Sequence, residues 1–317
     1  MANTIDNWAA QIRAGEVLAI SRAVSAIENR AAETEPLLRQ LFPFTGKAYR
    51  VGITGAPGTG KSTLIDRLAA QYRKDGKTLG VIAVDPSSPF TGGAILGDRI
   101  RMQGHAGDAG VFIRSMATRG YLGGLAQAAG DVSLLLDAAG KEMILIETVG
   151  VGQGEVEIMR LADCTVVVLM PGMGDDVQSL KAGLMEIGDI FVLNKCDREG
   201  AARFEQELRA ILQIVPERDG WRPPIVRTVA TESAGITELE EAISKFRNRL
   251  ADPGKRASRQ VAYWKEWLLR LLQARMIERV SANLSEAHFD RLAAAVAARE
   301  KDPYAATGEI LARAGLE

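Results

Sequence analysis

Between residues 48 and 250, short apolar, β-branched runs alternate with stretches whose apolar residues recur at helical spacing. The runs are YRVGIT, TLGVIAVD, GVFIRSM, EMILIET, CTVVVLM, DIFVLNK and PIVRTVAT. Near-continuous apolar runs separated by helices are what a parallel sheet buried on both faces requires, because neither face of such a strand meets water. Before this region, Ile5, Trp8 and Ile12 are spaced for one helical face, and Val17, Ile20, Val24 and Ile27 for another. After it, ADPGKRAS at 251–258 reads as a turn- and charge-rich linker. Trp264, Leu268, Leu272, Met276 and Val280 then form an i,i+4 stripe widened by Trp267 and Leu271. That stripe has two readings: a helix packed back on its own domain, or an arm that meets a second copy. The pattern thus predicts an α/β, mostly parallel sheet covered by helices. It has an N-terminal helical extension over 1–45, a nucleotide-binding domain over 46–250 and a helical arm over 251–317.

Composition adds only limits. The chain has 317 residues, 47% hydrophobic and 25% charged, with a formal net charge of −1. No broad basic face for nucleic acid is expected from that balance. No apolar run reaches membrane-spanning length, and MANTIDNWAAQIRAGE lacks the apolar core of a secretory leader. Cys164 and Cys196 are the two cysteines, too few for a disulfide framework, so a cytoplasmic protein is expected.

The chemistry begins at Val51. Gly55-Ala56-Pro57-Gly58-Thr59-Gly60-Lys61-Ser62 fits G-x-x-x-x-G-K-[ST], with a strand pattern before it and the helical pattern KSTLIDRLAAQYRK, which includes Thr63, after it. Glycines let backbone N–H groups turn inward on phosphates, and the following helix adds the positive end of its dipole. Lys61 suits the β- and γ-phosphates, and the Ser62 hydroxyl suits Mg²⁺.

The base is read from VLNKCD. Asn194, Lys195 and Asp197 end a buried-strand pattern and resemble the N-K-x-D signature of GTPases. Two carboxylate oxygens on Asp197 match the N1–H and amino group of guanine, donors that adenine does not present there. The Asn194 amide can donate toward O6 and N7, and the Lys195 stem can lie on the base plane. The same residues are also good turn formers. Backbone N–H groups of Val229, Ala230 and Thr231 are candidates for the last base-contacting loop.

A carboxylate for the metal comes from MILIETVGVGQGE, where Glu147 and Gly150 resemble a D-x-x-G switch with Glu in place of Asp. The Gly150 N–H is a candidate sensor of the γ-phosphate. Asp85 ends another strand and Asp98 lies in the Gly-rich TGGAILGDRIRM; both are metal candidates, with a helix cap as the other reading of Asp98. Arg99 and Arg101 are either surface residues or transition-state cations. Val151, not Gln, follows Gly150, and Gln153 comes later, so slow hydrolysis without a partner is expected.

Together GITGAPGTGKST, AVDPSSPFTGGAILGDRIRM, IETVGVGQGEVE, VVLMPGMGDDVQSLKAG and NKCD resemble the MeaB/ArgK family of SIMIBI-class P-loop GTPases. The resemblance extends over nearly the whole chain. It implies a homodimer with a helical arm, GTP/GDP and Mg²⁺ as ligands, and slow GTP hydrolysis accelerated by an adenosylcobalamin-dependent acyl-CoA mutase. Cofactor delivery, protection and reactivation of that mutase would follow the nucleotide state. Catalytic roles are implied for Lys61, Glu147, Asp98 and Lys181, and coupling to the mutase for Asp175, Gln178 and Lys181. One departure is Thr231-Glu232, where some relatives carry Ser-Ala. Two other enzyme classes compete. A P-loop kinase would tolerate ATP, against NKCD. A nickel metallochaperone needs clustered ligands, whereas His105, His288, Cys164 and Cys196 are scattered.

Overall fold

The computed structural model describes residues 2–85, 103–105, 107–117, 124–148, 159–172, 184–214, 217–218, 220–249 and 253–316. Asp98, Arg99, Arg101, Gly150, Val151, Gln153, Asp175, Gln178 and Lys181 lie outside the described residues, as does the side chain of Asp85.

Seven strands follow the seven predicted runs: β1 (Tyr49–Thr54), β2 (Leu79–Asp85), β3 (Val111–Ala117), β4 (Met143–Thr148), β5 (Cys164–Leu169), β6 (Ile190–Asn194) and β7 (Ile225–Thr228). They form one sheet in the order β3-β2-β4-β1-β5-β6-β7, and every pairing is parallel. Every residue of β4, β5 and β6 is buried, which is why their sequences run apolar without alternation. From β1 the chain runs outward through β2 to β3, and after β4 it crosses to β5, β6 and β7 on the other side, so strand order reverses beside β1. Such a point leaves a crevice at the carboxyl ends of the strands.

Helices cover both faces. On one, α4 (Lys61–Lys74) buries Leu64, Ile65, Leu68, Ala69 and Tyr72 on one core cluster with β1, β4 and β5. Its end is set by Gly76 at φ 75°, where the Gly76 N–H reaches Arg73 O and the Lys77 N–H reaches Tyr72 O. The later helix Ile236–Arg249 joins that cluster through Leu239, Ile243 and Phe246. On the other face, Ala201–Ile214 sets Phe204, Leu208 and Leu212 against Val167, Leu169, Phe191 and Leu193. Helix α5 (Gly124–Ala138) lies so close to β2 that a Cβ on Gly80 would come within 2.7 Å of Leu136 Cδ1.

The N-terminal helices α1 (Ala2–Arg13), α2 (Val17–Glu28) and α3 (Thr34–Leu41) pack on α5. The predicted face of α2 holds for Ile20, Val24 and Ile27, but Val17 is exposed at the first residue of the helix, before its buried stripe is established. The three amides of Gly46, Lys47 and Ala48 donate to the Asp137 carboxylate of α5, tying the entry to β1 to that helix. At the same end of the sheet, Arg50 and Asp163 form a two-pronged pair that aligns the starts of β1 and β5.

Two compact units divide the chain, Met1–Arg256 and Ala257–Glu317. The long helix Pro253–Asn283 begins inside the stretch expected to be linker. Proline carries the φ of a first helical residue and has no N–H to leave unpaired there, so a Pro-Gly pair reads as a turn yet opens a helix. In the second unit, Asp302 caps Pro303–Arg313 by accepting from the Tyr304 and Ala305 amides. Glu309 on that helix accepts from Lys301 and Arg291 and faces His288.

Candidate nucleotide site

The loop between β1 and α4 is built by glycines in two places. Gly55 has φ 143°, and a Cβ there would lie 2.1 Å from Val168 O of β5. Gly60 has φ 94°, and its Cβ would meet Asn194 Nδ2 at 2.5 Å. Any side chain at either position would push the loop off the neighbouring strands. Thr59 is fully buried and turns its N–H and hydroxyl back on Ala56 O. These contacts bend residues 55–60 into a concave cradle at the N-terminus of α4.

Lys61 opens that helix and is only 6% exposed. Its Nζ donates to Gly55 O at 2.7 Å and Ala56 O at 3.1 Å, so the ammonium sits inside the cradle. Ser62 follows it, and its hydroxyl donates to Glu147 Oε1 at 2.7 Å, with both residues buried. Glu147 can face α4 because β4 pairs it with Ile53, and Ile53 points into the α4 core. Two adjoining hard oxygens, a hydroxyl and a carboxylate, are donors of the kind Mg²⁺ takes. Thr63 is half-buried in the same first turn. The last backbone position of β2 is Asp85, one residue beyond the pairing of Val84 with Thr148.

On the other side of the cradle stands the end of β6. Asn194 is 2% exposed and engages two other segments. Its Nδ2 donates to Thr59 O at 2.8 Å, and its Oδ1 accepts from Thr228 Oγ1 at 3.0 Å and the Ala230 N–H at 3.1 Å. Lys195 is held in the left-handed region at φ 59°, uncommon for a residue with a side chain, and its Nζ donates to Gly58 O at 2.6 Å. Asp197, by contrast, is exposed and makes no hydrogen bond or ion pair among the described residues. The final loop spends its amides differently from expectation. Val229 N–H donates to Ala234 O at 3.1 Å and Ala230 N–H to Asn194, while Thr231 is exposed.

The structure therefore brings Gly55–Thr63, Glu147, Asn194, Lys195 and Asp197 to one edge of the sheet. Two features escaped the sequence. A buried hydroxyl pair, Thr148 Oγ1 donating to Thr54 Oγ1 at 3.0 Å, joins the strand end before the loop to the strand end after Glu147. Thr228 braces Asn194; its only signal was the alternation of β7, where Val226 and Thr228 are buried and Arg227 is exposed.

A parallel sheet with this strand order, a phosphate-type loop at the reversal point and an N-K-x-D strand end define a P-loop nucleoside-triphosphatase fold of the SIMIBI type. Residues 20–285 match the family model described as methylmalonyl-CoA mutase-associated GTPase MeaB, and the chain belongs to that family. A Pyrococcus abyssi protein named only as a GTPase is 47% identical over 310 residues, which cover 97% of this chain and 96% of that one. GTPase ArgK of Escherichia coli is 37% identical over 281 residues, 86% of this chain and 85% of its own. Among solved structures, that of a LAO/AO transport system kinase superposes with a TM-score of 0.75 at 28% identity, covering 98% of this chain and 97% of that one.

Proposed function

We propose that the protein binds GTP with Mg²⁺, hydrolyses it slowly to GDP, and acts as a G-protein chaperone of an adenosylcobalamin-dependent acyl-CoA mutase of the methylmalonyl-CoA mutase type. The nucleotide state would gate cofactor loading, protection and reactivation of that mutase. The observation that carries the nucleotide reading is the placement of Asp197, an exposed carboxylate whose neighbours Asn194 and Lys195 are bonded to the phosphate loop itself. A carboxylate so placed selects guanine, whose N1–H and amino group it can accept, over adenine, which would leave it unpaired.

The chain's own groups divide the work. Free backbone N–H groups of the loop, which Pro57 does not supply, and those at the start of α4 would hold phosphate oxygens. Lys61 transfers its ammonium from the Gly55 and Ala56 carbonyls to the β- and γ-phosphates. Ser62 and Glu147 are the described residues that would hold Mg²⁺, with Asp85 and Asp98 further candidates. Magnesium, when bound, supplies positive charge against the phosphate oxygens. Gly150 would sense the γ-phosphate, and Asp175, Gln178 and Lys181 would carry its presence to the mutase. A switch of this kind works only to the extent that the mutase binds the GTP and GDP forms differently.

The mutase assignment draws on the family's description. A homodimer draws on the helix Pro253–Asn283, where Val261, Leu268, Leu272 and Met276 lie on one face and are exposed. Among the described residues no group of three or more His, Cys, Asp or Glu is placed to hold a metal ion. No helix among the described residues is long and apolar enough to cross a membrane. The test is GTP turnover by the purified protein with and without the candidate mutase. Stimulation together with a stable complex is expected; no stimulation and no complex would remove the chaperone reading.

A further inference from the structure

We infer that His105 is a positioning residue for GTP hydrolysis: it clips the approach to β3 onto α4 one helical turn below Ser62, and so fixes the exit of the stretch that carries Asp98. The inference rests on the metal reading of Ser62, Glu147 and Asp98 above and adds to it a residue outside the nucleotide cradle.

His105 closes a short 3-10 turn, Gln103–His105. Its Nε2 lies 3.2 Å from Asp66 O and 3.4 Å from Asp66 Oδ1. A carbonyl and an ionised carboxylate only accept, so Nε2 carries the hydrogen and donates. The side chain is 11% exposed, which shields the bond from most of the competing water. The backbone of His105 is engaged too, its carbonyl accepting the Gly107 N–H at 2.9 Å and the Asp108 N–H at 3.2 Å. Ring and main chain are therefore both fixed.

A second clip lies nearer β3. Arg73, in the last turn of α4, donates from Nε to Asp108 Oδ2 at 2.7 Å and from Nη2 to Oδ1 at 2.9 Å, a two-pronged pair. Its guanidinium lies so close to Gly110 that a Cβ there would come within 2.3 Å of Cζ. The Leu79 N–H of β2 donates to Gly110 O at 2.8 Å, which makes this clip continuous with the sheet. The Arg73 pair thus secures the start of β3 at the far end of α4, and His105 acts higher on the helix. Asp66 follows Ser62 by four residues, one turn and about 6 Å along the axis, on the same side of the helix. Asp98 stands seven residues before His105. Asp85 is fixed in the sheet by pairing with Ala117, so the chain between Asp85 and His105 is tethered at both ends. The second tether bears on the helix that carries Lys61 and Ser62. Releasing it lengthens the free chain and spreads the positions open to the Asp98 carboxylate. It touches neither the phosphate loop nor the NKCD strand end. Magnesium use and turnover should suffer, and metal-free nucleotide binding should not.

GTP turnover by the full chain across a Mg²⁺ titration, with GDP affinity measured in parallel without the metal, tests this. The variants are His105→Ala, His105→Asn, His105→Gln and Asp98→Asn. Glutamine carries an amide nitrogen about as far from the backbone as Nε2; asparagine is too short to reach Asp66. H105A and H105N are expected to need about threefold to tenfold more Mg²⁺ for half-maximal turnover, the worth of one shielded hydrogen bond, with metal-free GDP affinity unchanged. H105Q should restore the wild-type requirement. If H105A fails to fold, H105N against H105Q makes the same comparison. A wild-type Mg²⁺ requirement in the variants that cannot reach Asp66, or a matching loss of metal-free GDP affinity, overturns the inference. A wild-type requirement in D98N defeats the metal reading of Asp98 instead, and a raised requirement in H105N that H105Q repairs would still uphold the clip.

Discussion

Lys61 carries a full positive charge at a position only 6% exposed, held by two carbonyls of its own loop. Carbonyls are weaker partners for an ammonium than phosphate oxygens, so the parked lysine is poised for exchange. Lys61→Ala should abolish tight triphosphate binding while leaving the thermal transition in place; retained micromolar affinity in a titration would speak against the phosphate loop. Asp131 in α5 supplies a pH prediction. It is half-buried, and desolvation pushes its carboxyl up from 3.8 to about 7. A raised carboxyl is stabilising below its unfolded value, and that contribution is lost as pH rises through the folded one. Urea unfolding should then show Asp131→Asn gaining more stability at about pH 8 than at about pH 5, and an equal gain at both would refute the shift. At this scale the phosphate loop and NKCD were legible because each is contiguous and its chemistry dictates residue type and spacing. Asn194 was legible only as a base-facing donor. Its partners in the structure, Thr59 on one side and Thr228 with Ala230 on the other, lie in two segments distant in sequence that folding brings together.

Among the elements, all seven strands were visible as short, largely apolar runs, and burial on both faces removes the alternation from β4, β5 and β6. The helix beginning at Pro253 was not, since turn chemistry and helix-initiation chemistry share the same residues. Tyr72 tests packing on α4. Its hydroxyl is buried with no hydrogen-bond partner among the described residues, and burial raises its pKa well above 10. Tyr72→Phe should be neutral or stabilising, by at most roughly 1–3 kcal/mol, since an unsatisfied buried hydroxyl costs that much. It should also blunt the loss of stability above about pH 10, where the unfolded phenol ionises and the folded one does not. A clear destabilisation would show that the hydroxyl is satisfied. On the helix Pro253–Asn283, replacing Leu268 and Leu272 together by Glu should turn a dimer into a monomer in light scattering without loss of GDP binding. An unchanged mass would exclude that face as the contact.

For the whole molecule, the strand order gathers one edge from segments spread over the chain, with the proposed phosphate loop after β1, the Glu147 carboxylate on β4 and the proposed base-reading strand end at β6. That convergence follows from parallel strands, which all present their carboxyl ends to the same side. Membership of the mutase-associated GTPase family gives this edge its context, and every downstream role depends on what occupies it. Calorimetry of the purified protein with GTP and with ATP, each with Mg²⁺, tests that point most directly. The account predicts that GTP binds at least about a hundredfold more tightly, the scale set by leaving the Asp197 carboxylate unpaired against adenine. Equal affinity, or a preference for ATP, would contradict it.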